Sequence, residues 1–176
     1  GQRRAVTTIK KNNIDALVII GGNGTHRGAW ELFNKWKIPL VCIASTIDND
    51  INGTDRTLGY DTAVNTALDA IDKIRDTATS MERIFVVEVM GRDCGLLALH
   101  VGLASGAEEI LIPEKKLDFN HMCHDIVQGN LKGKISWIIV VAEGAGGAEE
   151  VARQVQEMTD LEVRHVVLGH VQRGGS

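Results

Sequence analysis

Two aspartates stand two residues apart in Thr46-Ile47-Asp48-Asn49-Asp50. On an extended segment, residues i and i+2 point to the same side, so Asp48 and Asp50 are expected to face one ligand together. Such a pair can divide the labour, one carboxylate holding Mg2+ while its neighbour takes a proton. The segment also mimics the opening of a calcium loop, with Asp48, Asp50, Asn52 and Gly53 at its first, third, fifth and sixth positions. That reading fails, because Gly59 stands where a bidentate Glu is required and a strand, not a helix, precedes the loop. The plainer alternative is an Asx-rich surface turn.

Gly21-Gly22-Asn23-Gly24-Thr25 follows an apolar run and opens a helical pattern, with Gly28 one turn later. Glycines there let backbone N–H groups approach an anion, and the helix N-terminus adds a favourable dipole. The spacing is one residue too long for a dinucleotide fingerprint, and no Lys stands where a Walker motif needs it. The competing reading is a tight strand-to-helix turn with Thr25 as N-cap. Arg83, Arg92, Arg164 and Arg173 fall at or close to strand ends, where a planar fork can grip phosphate oxygens in pairs. One such arginine is usually a solvated charge; four in a net-acidic chain are harder to dismiss. Glu143 and His170, also just past strands, suit hydrogen bonds to sugar hydroxyls, although either alone is more often structural. His121 and His124 share a helix face, but two ligands do not make a zinc site. No Ser or Cys stands in a nucleophile elbow.

The elements that must position these groups are short apolar runs alternating with longer helical patterns. Strands are expected at Ala16 to Ile20, Leu40 to Ala44, Ile84 to Val89, Glu109 to Ile112, Ser136 to Ala142 and Val163 to Leu168. Each is nearly continuous in apolar residues, as for parallel strands buried on both faces. Helices are expected at Arg4 to Lys11, Thr25 to Lys35, Tyr60 to about Ala78, Asp93 to Ser105, Phe119 to Leu131 and Glu149 to Met158. In the longest, Val64, Ala67, Leu68, Ile71 and Ile74 form one stripe at three- and four-residue spacing. The pattern implies an α/β fold with helices on both faces of a parallel sheet, whose ligands sit beyond the carboxyl ends of the strands. The segments after the runs are the ones rich in Gly, Asp, Arg, Glu and His.

Composition narrows the classes. A chain with 44% apolar residues and a net charge of −4 fits a globular protein that binds no nucleic acid and no membrane surface. The longest strong apolar run, Trp137 to Ala142, is far short of the ~20 residues of a bilayer span, and no secretory leader is evident. Cys42, Cys94 and Cys123 are scattered and odd in number, which implies free thiols in a reducing cytoplasm. Both ends look cut, one opening directly on a helix and the other closing on a turn after a strand.

Together the motifs form a series: Gly21-Gly22-Asn23-Gly24-Thr25, Thr46 to Gly59, Glu82 to Gly95 around Val89-Met90-Gly91-Arg92, Ile112-Pro113-Glu114, Val141 to Ala145, and Val167 to Ser176. That order closely resembles the 6-phosphofructokinase family over essentially the whole chain. The glycine-rich turn alone is shared with NAD kinases and lipid kinases. The resemblance implies a three-layer, Rossmann-like parallel-sheet fold in two lobes, truncated at both ends. Residues 1–59 with 172–176 would form part of a nucleotide and Mg2+ lobe, and 60–171 a sugar-phosphate lobe. The implied reaction is ATP-dependent phosphorylation of fructose 6-phosphate in glycolysis, with Mg2+, in the cytoplasm.

By the same resemblance, Asp48 is the general base, Thr46 sits beside the transferring phosphoryl group and Arg92 stabilises its charge. Asp50 holds Mg2+ near the substrate, with Asn23 beside it. Arg83, Arg164, His170 and Arg173 grip the sugar phosphate, with Met90, Gly91 and Glu143 on the sugar. The residues matching Arg83 and Arg164 serve a neighbouring subunit, implying a homo-oligomer, in the family usually a tetramer. Gly22, Asn23, Gly24, Thr25 and Gly28 line the nucleotide phosphates. Arg75, Gly106, Glu108, Lys132 and Lys134 match an allosteric site for ADP or phosphoenolpyruvate. Three positions bear on the donor. Asn23 replaces a usual Asp and removes a charge near the metal; Ser45 replaces a usual Gly; Gly24 favours ATP over pyrophosphate, whose users commonly place Asp there. Two alternatives follow: a pyrophosphate-dependent enzyme, or a regulatory homologue that binds sugar phosphate without catalysis. The 176 residues alone are expected to be nearly inactive.

Overall fold

The structure, a computed structural model, describes residues 1–174. Gly175 and Ser176, the end of the expected 172–176 segment, lie outside the described residues. The chain falls into two units. One comprises Gly1–Thr46 and Asp50–Leu58; the other comprises Ile47–Asn49 and Gly59 onward. Residues 172–174, grouped with the first lobe on the sequence, pack in the second unit instead.

The first unit contains α1 (Gln2–Lys11), β1 (Leu17–Gly21), α2 (Asn23–Trp36) and β2 (Leu40–Ala44). β1 and β2 are parallel and in register from Leu17 opposite Leu40 to Gly21 opposite Ala44. Val6 and Ile9 of α1 bury themselves with Ile38 against Leu17 and Leu32, which covers one face of the pair. The other face carries Val18 opposite Val41 and Ile20 opposite Ile43, and all four are exposed. Burial on both faces, expected from the apolar runs, therefore does not hold for these two strands. α2 begins at Asn23 with Gly22 as its N-cap, so Thr25 lies inside the first turn and is not the cap. The Thr25 side chain packs directly over the bare Cα of Gly21 instead.

The second unit runs α3 (Tyr60–Met81), β3 (Ile84–Val89), α4 (Leu96–Ser105), β4 (Glu109–Leu111), α5 (Phe119–Leu131), β5 (Trp137–Ala142), α6 (Ala148–Thr159) and β6 (Val163–Val167). Short 3-10 turns follow β5 at Glu143–Ala145 and β6 at Gly169–Arg173. All four strands are parallel, in the order β4-β5-β3-β6. Alternation splits their side chains between two cores. Phe85, Val87 and Val89 join Ile138 and Val140 under Ala67 and Ile71 of α3 and Leu97 and Val101 of α4. Ile84 and Val86 join Ile139 and Val141 under Ile126 of α5 and Val151 and Val155 of α6. Helices thus cover both faces, which is the three-layer α/β arrangement the alternation implies. Ile139 is wholly buried, so Ile139→Ala would cost about 2–5 kcal/mol.

Candidate functional site

β5, β3 and β6 are neighbours, so the turns at their carboxyl ends come together: Met90 to Cys94, Glu143 to Gly146, and Gly169 to Arg173. This is where a parallel sheet presents ligand-binding groups. The β3 turn is tight. Cys94 N–H donates to the Gly91 carbonyl at 2.9 Å, and both Gly91 (φ +138) and Arg92 (φ +53) take left-handed backbone conformations. Arg92 has a Cβ and adopts αL at some cost, a strain that turns its side chain out of the sheet. Its carbonyl oxygen lies against Gly144, where any Cβ would overlap it. Glycine is therefore required at 144 for the Arg92 and Glu143 turns to touch. Beyond them, His170 and Arg173 are exposed on the β6 turn, while Met90 and Glu143 are half-buried.

Asp48 belongs to the same unit, because Ile47 packs against the core formed with α3 and α4. Asp48 is 7% exposed, and its Oδ2 lies 3.6 Å from Nε of Arg92. The two partners differ sharply: the Arg92 side chain is 72% exposed and the Asp48 side chain 10%. The pair sets a buried carboxyl group beside a guanidinium exposed enough to lean towards an anionic ligand. At that exposure the pair itself adds at most about 1 kcal/mol to stability.

Asp48 and Asp50 do not share one side of an extended strand. The backbone bends at Ile47 and Asp48, and Asn49 between the carboxylates is left-handed (φ +52). Asp50 belongs to the first unit, where its Oδ2 accepts a hydrogen bond from Nδ2 of Asn23. The Gly21–Gly22 turn runs beside Thr46: a Cβ on Gly22 would touch Thr46 Cβ at 3.4 Å, and Thr57 Oγ1 donates to the Thr46 carbonyl at 2.6 Å. Gly22, Asn23, Gly24 and Thr25 thus form the open start of α2, where a Cβ on Gly24 or Gly28 would point into free space. Among the described residues no three His, Cys, Asp or Glu side chains are gathered to hold a metal unaided. One carboxylate fits Mg2+, which keeps waters and takes ligands from phosphates, and the Asn23 amide, whose N–H faces Asp50, would have to turn over to add its oxygen.

The arginines separate into two groups. Arg92 and Arg173 are at the carboxyl edge of the sheet. Arg83, just before β3, and Arg164, second residue of β6, are at the amino edge, because Phe85 pairs with Arg164. There Glu162 lies between them, 2.9 Å from Arg83 Nε and 2.5 Å from Arg164 Nη2. The Arg83 N–H is aimed past the oxygen, leaving Nε buried without a hydrogen bond, so the contact is an ion pair only. Arg83 and then Arg164 hold the Glu162 carboxyl below the usual range. The expected effector residues also assemble at this edge. Arg75 donates to the Ser105 carbonyl at 2.8 Å and the Gly106 carbonyl at 3.3 Å, and lies 3.9 Å from Glu108. Lys134 Nζ is 2.9 Å from Glu108, whose other oxygen accepts from Ile138 N–H at 2.7 Å. Lys132 caps the end of α5 two residues earlier.

Four residues that support these turns escaped the sequence reading. Gly144 is one. Glu88, inside β3, accepts from Ala148 N–H at 2.8 Å and caps α6; Glu114 accepts from Gly95 N–H at 2.8 Å and closes the start of α4. Gln172 is wholly buried between the exposed His170 and Arg173. Glu114, Gly144 and Gln172 each lie in a segment of the motif series, and Glu88 stands out as the one charged residue in an otherwise apolar strand, but none carried a role there.

A family model described as phosphofructokinase matches residues 1–176. The chain is 52% identical over 176 residues to a Clostridium botulinum protein named ATP-dependent 6-phosphofructokinase, covering 100% of this chain and 55% of that one. A Clostridium acetobutylicum protein of the same name is 51% identical over 175 residues, with 99% and 54% covered. The chain spans about half the length of these curated relatives. Among solved structures, phosphofructokinase from Saccharomyces cerevisiae superposes with a TM-score of 0.84 at 35% identity, over 96% of this chain and 26% of that one. Pyrophosphate-dependent phosphofructokinase from Nitrosospira multiformis superposes at 0.80 with 28% identity, over 97% and 48%.

Proposed function

The chain belongs to the phosphofructokinase family, and from that membership we propose that the protein transfers the terminal phosphoryl group of ATP to fructose 6-phosphate. The product is fructose 1,6-bisphosphate, a step of glycolysis. The observation that carries this reading is the buried Asp48 carboxylate held 3.6 Å from the exposed Arg92 at the carboxyl edge of β3.

Asp48 is the general base. It takes the proton from the sugar 1-hydroxyl as that oxygen attacks the terminal phosphorus and the bond to the ADP oxygen breaks. Arg92 turns from Asp48 towards the phosphoryl group and stabilises charge on its oxygens, with Thr46 beside it. His170 and Arg173 hold the 6-phosphate, and Met90, Gly91 and Glu143 contact the sugar. Gly22, Asn23, Gly24, Thr25 and Gly28 receive the nucleotide phosphates at the open start of α2. Asp50, with the amide oxygen of Asn23, would hold Mg2+. When bound, the ion supplies positive charge to the phosphate oxygens.

Arg83 and Arg164, at the amino edge, serve the sugar phosphate of a neighbouring copy, so the working unit is a homo-oligomer, a tetramer by family habit. Arg75, Gly106, Glu108, Lys132 and Lys134 form an effector site for ADP or phosphoenolpyruvate, which makes the enzyme allosteric. No helix among the described residues is long and apolar enough to cross a membrane; a cytoplasmic location follows from the proposed glycolytic role. ATP is favoured over pyrophosphate by Gly24 and by relatives named ATP-dependent. A non-catalytic binder is disfavoured because Asp48, Asp50 and Arg92 are all retained.

The test is an assay for fructose 1,6-bisphosphate with ATP or pyrophosphate, using the chain completed by the corresponding segments of the Clostridium botulinum relative. Turnover with ATP supports the reading. Turnover with pyrophosphate alone overturns the donor. No turnover with either donor, restored by Asn23→Asp, makes the wild type a binder.

A further inference from the structure

Among the described residues, Gln172 is the largest polar side chain buried completely, with no exposed surface at all. Its amide spans two turns. Oε1 accepts from the Met90 N–H at 3.3 Å, and Nε2 donates to the Gly169 carbonyl at 3.3 Å. Only an amide of this length offers both an acceptor and a donor there, and leaving either backbone group unpaired in a buried place costs free energy. The far side of the same turn is pinned as well. Gly174 (φ +58) sits so close to α3 that a Cβ would meet Thr66 Oγ1 at 2.6 Å and Thr62 Cγ2 at 2.8 Å. The Gly169–Arg173 turn is therefore held by α3 on one side and by β3, through Gln172, on the other.

We propose that Gln172 is a positioning residue for the sugar phosphate. Its buried amide sets the spacing between the turn carrying His170 and Arg173 and the turn carrying Met90, Gly91 and Arg92. The inference rests on the proposed function, which assigns those two turns to one substrate. Gln172 touches no substrate. It acts on sugar-phosphate binding and leaves the nucleotide alone, since among the described residues its side-chain hydrogen bonds go to Met90 and Gly169.

Gln172→Met keeps the length and removes both hydrogen bonds; Gln172→Glu keeps an acceptor for Met90. In the completed chain, Gln172→Met should raise KM for fructose 6-phosphate by about tenfold, leave KM for ATP unchanged and change kcat by less than about threefold. Gln172→Glu should fall between it and the wild type. A residue that merely supported the fold would lower the melting temperature and the active fraction while leaving both KM values in place, and that result would overturn the proposal. If Gln172→Met fails to fold, Gln172→Glu decides, and a wild-type KM for fructose 6-phosphate in that variant also overturns it. A wild type without turnover on fructose 6-phosphate removes the reading beneath the inference, and the inference with it; a wild type that turns over with unshifted variants removes the inference alone.

Discussion

Among the described residues, four helices follow strands by short turns, and their starts are finished in two ways. α4, α5 and α6 each receive one of the chain's own carboxylates: Glu114 at Gly95, Asp118 at His121 and Glu88 at Ala148. α2 has Gly22 as its N-cap, with no side chain to cap it, and Gly24 stands open. An uncapped helix start is a ready anion site, whereas a start filled by a carboxylate repels a second anion. Under the proposed function, the contrast fits phosphate recognition by backbone in the first unit and by arginine and histidine side chains in the second.

Placing a carboxylate at the open start should break the contrast most severely. Gly24→Asp is expected to raise KM for ATP in the completed chain by about a hundredfold, since a like charge beside a phosphate costs several kcal/mol. KM for fructose 6-phosphate should stay near the wild-type value. An unchanged KM for ATP would mean that α2 is not the nucleotide contact.

Opening a closed start should act on stability. Glu88→Gln weakens a charge-assisted bond inside the sheet and should lower the unfolding free energy by about 1–2 kcal/mol. Glu114→Gln, at an exposed carboxylate, should lower it by about 0.5–1 kcal/mol. Denaturant titration of both variants checks the order, and equal losses would mean that burial does not set the strength of these caps.

Glu109 sharpens the comparison from the opposite side, as a half-buried carboxylate that caps no helix among the described residues. Burial, followed by the nearby Asp125, raises its pKa above the ordinary 4.5. A raised folded pKa means that its stabilising contribution is complete below the unfolded value and is lost as pH rises through the folded one. Glu109→Gln should therefore raise the melting temperature by about 1–2 °C at pH 7 and lose that advantage in acid. A variant less stable at pH 7 would show that the carboxylate is stabilised by a partner.

Much of the frame was legible because local and tertiary signals agreed. β3 and β5 read as buried parallel strands, and both are buried with helices on each face. β1 and β2 look the same in sequence, yet one face of each is exposed, because an apolar run records what a strand can bury and not what covers it. The Asp48–Asp50 geometry failed on a bend at Ile47 and Asp48 and on the left-handed backbone of Asn49, which residue type favours but does not compel. The expected parallel strands already put Arg83 and Arg164 at the edge opposite Arg92, but their shared partner Glu162 needed the strand register. Gln172 and Gly144 owe their roles to contacts between distant turns, which spacing along the chain does not encode.

The most direct test of the account is kcat of Asp48→Asn in the completed chain, measured with saturating ATP and fructose 6-phosphate. Asparagine keeps the shape and removes the base, so kcat should fall by about 10²–10⁴-fold while KM for fructose 6-phosphate changes little. A kcat within a few-fold of wild type would contradict the account, because the proton would then have to leave by way of another group.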